Sequence, residues 1–290
     1  MDERAVLELL SGSLCHAGDD TAVVDGLLLT TDMLHERTDF PAETTRYTAG
    51  WRAVGASLSD VAAMGGEVAA AVAVYAAPEF REGEVREFVA GAGDVCEAVG
   101  GAYVGGDLDT HEEFTVVSTV VGRSDDPVYR SGARPGEAVC VTGTLGRSAA
   151  ALRLFEDGES TRANELFRFE PRVGAGRALA PHASAMMDSS DGLARSLHQL
   201  AEASDCGFAI ERSRIPIDGA VDEVADDEVD AHEMSVSFGE DFELVCTIPE
   251  DDLSAVEAAS PTPITVIGEV TEEGIEMDGE ALSDRGFTHG

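Results

Sequence analysis

Residues 68–77, VAAAVAVYAA, form an apolar run whose only polar group is the Tyr75 hydroxyl. A membrane span needs about 20 such residues, so the run predicts a strand buried on both faces of a sheet. Helical stripes flank it. Residues 44–64 place Trp51, Val54, Leu58, Val61 and Met64 at helical spacing, and residues 82–99 do the same with Val85, Phe88, Val89, Val95, Cys96 and Val99. A short first helix is expected over residues 3–10, then a strand pair in TAVVDGLLLTT ending at Asp32, and later a strand in FTVVSTVVGR. The segment 124–137, SDDPVYRSGARPGE, concentrates Pro, Gly and charge, which predicts a boundary between a domain at 1–130 and one at 131–290.

The second part opens with the strand AVCVTG and a helix over 147–155. An apolar strand to Met187 and a helix to about Ala203 follow. GFAIE, FELVCTIP and ITVIGEV read as strands, with an acidic helix near 250–258 and a solvated acidic loop at 218–233. Strands and helices mix in both parts, so the expected fold class is α/β (α+β) in two domains.

Charge narrows the partners. The chain has 57 acidic and 19 basic residues, a net charge of −38, and every basic residue is Arg. Such a surface repels nucleic acid and anionic membrane. With 43% apolar residues the chain has enough core to fold. At molar salt the Debye length is about 3 Å, which screens the self-repulsion and points to a salt-rich cytoplasm. The five cysteines (Cys15, Cys96, Cys140, Cys206, Cys246) never form a CxxC pair, and the first ten residues, MDERAVLELL, lack the positive charge of an export signal. A cytoplasmic, soluble protein is expected.

The informative acids sit where apolar strands end: GDDTA (18–22), TTD (30–32), LSDVAAMGG (58–66), GGDLD (105–109), MDSSDGL (187–193) and FGEDFEL (238–244). Carboxylates beside apolar strands are costly unless they share a partner, and hard oxygen ligands at this density suit Mg²⁺. Other chemistries fail. A Walker loop or protein-kinase site needs a Lys, DLDTHEE lacks the turn Gly of a calcium loop, and no His pair has zinc spacing. Phosphate chemistry here requires metals in place of lysines. In MDSSDGL, Asp188 and Asp191 are candidate metal ligands and Ser190 a phosphate contact at a helix N-terminus. Arg130 offers a bidentate phosphate contact, and the GGD glycines permit close backbone approach.

In this order, GDDTAVV, TTDMLHERTDF, AVGASLSDVAAMGG, VGGDLD, YRSGARPGE, VTGTLGRSAAAL, MDSSDGLARSLHQLAEASDCG, FGEDFEL and IGEV span almost the whole chain. Together they resemble the thiamine-monophosphate kinase family, within the superfamily that includes aminoimidazole ribonucleotide synthetase. The resemblance implies ATP-dependent phosphorylation of thiamine monophosphate with several Mg²⁺ ions. It also implies a homodimer joined through the sheets of the N-terminal domains. By similarity Asp20, Thr30, Thr31, Asp32, Asp60, Asp107, Asp188 and Asp191 match magnesium positions, and Gly106, Asp107, Arg130 and Ser190 match ATP contacts. Glu240 and Phe287 match positions that hold the thiamine part, and a further nucleotide position falls near Ala90. Asp39 stands where the family has a substrate-contacting His, Phe238 where a Gly is usual, and Phe242 where Tyr is common. Arg37 and His35 are the neighbouring alternatives for that contact. The acceptor is already an ionised phosphate, so no general base is expected. The alternatives are another ATP-using synthetase of the superfamily, a non-catalytic nucleotide- or Mg²⁺-binding protein, and a two-metal phosphatase.

Overall fold

The computed structural model describes Leu14 and residues 18–286; the helix expected over 3–10 and Phe287 lie outside the described residues. A first sheet comprises β1 (Ala22–Val24), β2 (Leu27–His35), β3 (Glu67–Ala77), β4 (Tyr103–Thr110) and β5 (Thr115–Arg123), in the order β1-β2-β5-β3-β4. Asp25 and Gly26, at φ 51° and 77°, make the tight turn between β1 and β2, because a two-residue hairpin demands positive φ at both positions. After β2 come the short helix α1 (Glu36–Asp39), the long α2 (Arg46–Ala63) and α3 (Glu82–Ala98).

The second sheet holds β6 (Ala138–Thr142), β7 (Ala185–Asp188), β8 (Gly207–Ile210), β9 (Leu244–Ile248), β10 (Ile264–Thr271), β11 (Ile275–Met277) and β12 (Glu280–Ala281). Their order is β12-β11-β8-β10-β6-β9-β7. Its helices are α4 (Arg147–Glu156), α5 (Ser160–Phe167), α6 (Val173–Leu179), α7 (Leu193–Ser204), α8 (Gly219–Val224), α9 (Glu228–Val236) and α10 (Leu253–Ala259). The mixed α/β class read from the strand and helix patterns is the class observed.

Helix α2 is the shared element. Its stripe of Val54, Leu58, Val61 and Met64 is buried, joining a core cluster that includes Leu28 of β2 and Cys246 of β9. It meets its neighbours backbone to backbone. A methyl added at Gly50 would lie 2.2 Å from the Phe88 carbonyl on α3, and one at Gly176 of α6 would lie 2.1 Å from the Ala62 carbonyl.

Three expectations change. β3 alternates instead of burying both faces: Ala71, Ala73 and Tyr75 face the helices, whereas Val72 is 38% exposed on the open face. The acidic stretch 218–233 forms α8 and α9 instead of a loop. Asp218 accepts from Ala220 N–H, and Asp227 from Val229 and Asp230 N–H, so these acids cap helices. GGDLD lies in β4, an edge strand whose glycines and acids hide its pattern in the sequence. No helix among the described residues is long and apolar enough to cross a membrane.

Candidate active site

Three carboxylates meet where the two sheets join. One oxygen each from Asp20, Asp60 and Asp188 lies within 4.8 Å of the others. Asp20 lies just before β1, Asp60 near the C-terminal end of α2, and Asp188 at the end of β7. The outer two are 168 positions apart in the chain, and α2 brings the three together because it packs on both sheets.

Like charges this close, out of water, favour the protonated acid. Burial first, then the Asp20 charge, pushes the Asp188 carboxyl up to about 7. Burial together with the Asp32 and Asp188 charges lifts Asp60 well above the ordinary carboxylate range. Burial likewise raises Asp32 and Asp19. Arg130 offsets part of this charge, donating to Asp20 from Nε at 3.2 Å and from Nη2 at 3.0 Å, while its backbone N–H donates to Asp19 at 2.8 Å. Burial opposes the Arg130 charge, but Asp20 more than compensates and the guanidinium stays protonated.

Hydroxyls brace the acids. Thr30 Oγ1 donates to Asp60 at 2.5 Å, and Ser57 Oγ donates to Asp32 at 2.5 Å. Thr31 turns to the opposite face and donates to the Ser118 carbonyl at 2.8 Å. In the 188–192 turn, Ser190 N–H donates to Asp188 at 3.2 Å, and Asp191 follows immediately. Asp188 Oδ2 is buried and makes no hydrogen bond of ordinary geometry, with the Ser59 hydroxyl close enough to stabilise its charge only in part. An orphaned carboxylate oxygen among two further carboxylates is what a hard divalent cation neutralises, so the donor set fits Mg²⁺.

Asp107 and Gly106 are not brought to this seam within one chain. The register Met33–Val117–Val74–Asp107 crosses the sheet in one row, so Asp107 shares the open face with Met33. Asp32 and Thr30 point to the other face. Three strand spacings separate β4 from β2, about 14 Å. Gly106 packs so tightly on β3 that an added methyl would sit 1.7 Å from the Ala73 carbonyl.

A cavity of about 420 Å³ opens nearby, walled by Phe40, Phe155, Phe167 and Phe238 together with Asp39 and Glu240. Glu156 and Arg37 complete its charged lining. Asp39 is buried and anchored, its Oδ2 accepting from His35 N–H at 2.6 Å and Thr38 Oγ1 at 2.9 Å. The Arg37 side chain is largely exposed and lies 3.8 Å from Glu113. His35 Nδ1 is 3.0 Å from Thr115 Oγ1.

The loop bearing Glu240 lies against the Asp188 turn. Glu240 N–H donates to the Ser190 carbonyl at 2.7 Å, and Ser189 N–H to the Glu243 carbonyl at 2.8 Å. Only a glycine fits at 239, with φ 87° and a would-be methyl 2.6 Å from the Ser190 carbonyl. Two acids of FGEDFEL are structural. Asp241 accepts from Gly146 and Ser148 N–H, and burial raises its carboxyl to about 7. Glu243 holds Arg172 through two bonds of 2.7 and 2.6 Å. Sequence reasoning missed Ser57, Arg52 and Arg172, whose partners Asp32, Glu240 and Glu243 are far away in the chain.

Known proteins resemble this chain along its whole length. A model described as AIR synthase related protein, N-terminal domain, matches residues 18–124, and its C-terminal counterpart matches residues 134–278. The thiamine-monophosphate kinase of Halobacterium salinarum is 60% identical over 100% of both chains. That of Methanospirillum hungatei is 41% identical over 100% of this chain and 99% of its own. A solved structure described as AaThiL complexed with AMPPCP and TMP superposes with a TM-score of 0.90 at 29% identity, covering 99% of this chain and 97% of that one.

Proposed function

This chain belongs to the thiamine-monophosphate kinases, and on that premise we propose that it transfers the γ-phosphoryl group of ATP directly to thiamine monophosphate, giving ADP and thiamine diphosphate, with Mg²⁺ held at the carboxylate seam. The observation that carries the metal reading is the Asp20–Asp60–Asp188 cluster with its unpartnered Asp188 oxygen. Asp20, Asp60 and Asp188 would hold the ions, with Thr30, Asp32 and Asp191 adjoining. Bound there, Mg²⁺ would supply the positive charge that lets two phosphates approach each other.

The rest falls to the protein's own groups. Ser190, whose N–H reaches Asp188, and the start of α7 just beyond it would suit phosphate oxygens. Arg130 is charged and adjacent, available to a nucleotide phosphate once a metal ion relieves Asp20. The aromatic, acidic cavity suits the organic cation of the acceptor, with Glu240 and Asp39 in its wall. Phe287 is proposed for the same end. The acceptor phosphate has its second pKa near 6, so it attacks without a general base. Transfer then depends on alignment in a water-poor cleft, with no phosphoenzyme.

The open sheet face argues for a homodimer. Leu29, Met33 and Val72 are exposed there beside Thr31 and Asp107. A second copy packed on this face would bury them and bring its own Gly106 and Asp107 towards β2 of the first. The acidic, lysine-free composition suits a salt-rich cytoplasm. The reading is tested by incubating the enzyme with ATP, Mg²⁺ and thiamine monophosphate in molar KCl and weighing the products. Thiamine diphosphate and ADP in equal amounts are expected. Inorganic phosphate released without thiamine diphosphate would refute the kinase reading.

A further inference from the structure

An arginine that no motif singled out ties the acceptor cavity to the carboxylate seam. Arg52 lies on α2 and is only 4% exposed. It donates from Nη2 to Glu240 Oε2 at 2.8 Å and from Nη1 to the Phe167 carbonyl at 2.6 Å. Its guanidinium stands 3.6 Å from the centre of the Phe167 ring. Glu240 and Phe167 both wall the acceptor cavity, so one side chain grips two of its surfaces.

Glu240 needs such a grip. Its φ is 59°, a left-handed conformation that a residue with a side chain adopts at some cost. Ser148 Oγ donates to its carbonyl at 2.6 Å, and its own N–H bonds Ser190, so its backbone is anchored from the C-terminal part of the chain. Arg52 reaches its side chain from the N-terminal part. Eight residues along the same helix stands Asp60, a carboxylate of the seam, at about 12 Å of helical rise. The helix is held backbone to backbone just outside them, at Gly50 on one side and Ala62 on the other. One rigid rod therefore carries a seam carboxylate near one end and a clamp on the acceptor wall near the other.

We propose that Arg52 is a positioning residue that, through Glu240, sets where the organic end of the acceptor seats relative to the seam, and so whether the acceptor phosphate reaches the γ-phosphoryl group. The proposal rests on the phosphotransfer reading above. Lysine keeps the charge but cannot fork between Glu240 and the Phe167 carbonyl. Glutamine removes the charge that Arg52 sets against Glu240 Oε2, on a wall that also carries Asp39 and Glu156.

The test measures kcat and both KM values of the full-length enzyme in molar KCl with Mg²⁺, alongside thermal unfolding. The variants are Arg52→Gln, Arg52→Lys, Glu240→Gln and the Arg52→Gln/Glu240→Gln pair. Arg52→Gln is expected to raise KM for thiamine monophosphate about tenfold or more and lower kcat, with KM for ATP within about twofold of wild type. Arg52→Lys should fall between, and the double variant should be no worse than its worse parent. A general loss of structure would not separate the two substrates. Equal rises in both KM values, an unchanged acceptor KM, or effects that multiply in the double variant would each overturn the role of Arg52. Should Arg52→Gln not fold, Glu240→Gln decides: an acceptor-selective rise supports the proposal and no change overturns it. Failure of the wild type to make thiamine diphosphate would instead sink the parent reading.

Discussion

Replacing Asp188 with Asn should stabilise the metal-free enzyme at pH 8 and abolish its response to Mg²⁺. Asp188 is 1% exposed, and burial with the Asp20 charge raises its carboxyl from 3.8 to about 7. Because the folded state holds this proton more tightly than the unfolded chain, ionisation weakens the fold. The penalty is absent below the unfolded value, grows as pH rises, and is complete above about 7. At 1.36 kcal/mol per unit it is on the order of 4 kcal/mol at pH 8, and the coupled acids share it. Asparagine keeps an oxygen for the Ser190 N–H and carries no charge. The variant should therefore gain about 2–4 kcal/mol, or roughly 3–7 °C in Tm for a chain of this size. Thermal unfolding by circular dichroism, in molar KCl with EDTA and then with Mg²⁺, reads both effects. Wild type should gain about 2.7 kcal/mol at a Mg²⁺ concentration a hundredfold above Kd, and the variant almost none. Near pH 5 the gap between the metal-free proteins should narrow, and wild type should need more Mg²⁺, since protons compete for the ligands. A variant less stable than wild type at pH 8, or an equal Mg²⁺ shift in both, would refute the reasoning.

Asp107→Asn and Asp188→Asn should each be inactive alone, yet refolding them together should restore activity, because a mixed dimer has one intact pair of contributions; no recovery would place Asp107 outside a shared site. Met33→Asp, on the open sheet face, should give a monomer by sedimentation, and a dimer of unchanged affinity would move the interface elsewhere. Arg172→Met strands the buried Glu243 carboxylate and should cost about 3–5 kcal/mol at neutral pH. Burial raises Glu243 even in wild type, so the loss should shrink in acid as the group takes up a proton; an unfolding curve insensitive to pH would argue against this account.

Much of the fold was legible because the sequence states it twice, in periodicity and in punctuation. Helix α2 follows the stripe of Val54, Leu58, Val61 and Met64, and β7 runs straight into the MDSSDGL turn. Asp188 reads as a metal ligand at a strand end, Asp20 and Asp60 through the family resemblance, and the three do meet, with Asp60 coming from a helix instead of a strand end. Where the sequence misled, one residue type served two purposes. Asp218 and Asp227 read as solvated charge in so acidic a chain, yet they cap helices. The apolar residues of β3 suggested burial on both faces, and a single chain covers only one. Asp107 was grouped with Asp32 by motif, but strand order and register put it on another face, which no local pattern encodes. Arg52 is hidden for a similar reason: a helix cation with no acid at helical spacing looks solvent-facing until the fold supplies Glu240 and Phe167.

The backbone-to-backbone crossings of α2 also bear on how ligands enter and leave. A clamshell motion between the two sheets would have to part Gly176 from Ala62 while keeping Gly50 seated against Phe88, and at such short range there are no side chains to slide or flex. Opening along that line would tear main-chain packing instead of bending a hinge. Traffic through the acceptor cavity falls instead to its rim at residues 36–43, where Glu36 is joined to Arg46 of α2 by a side-chain ion pair that can release. Product departure would then be a matter of gating at that rim, with the α2 crossings left in place.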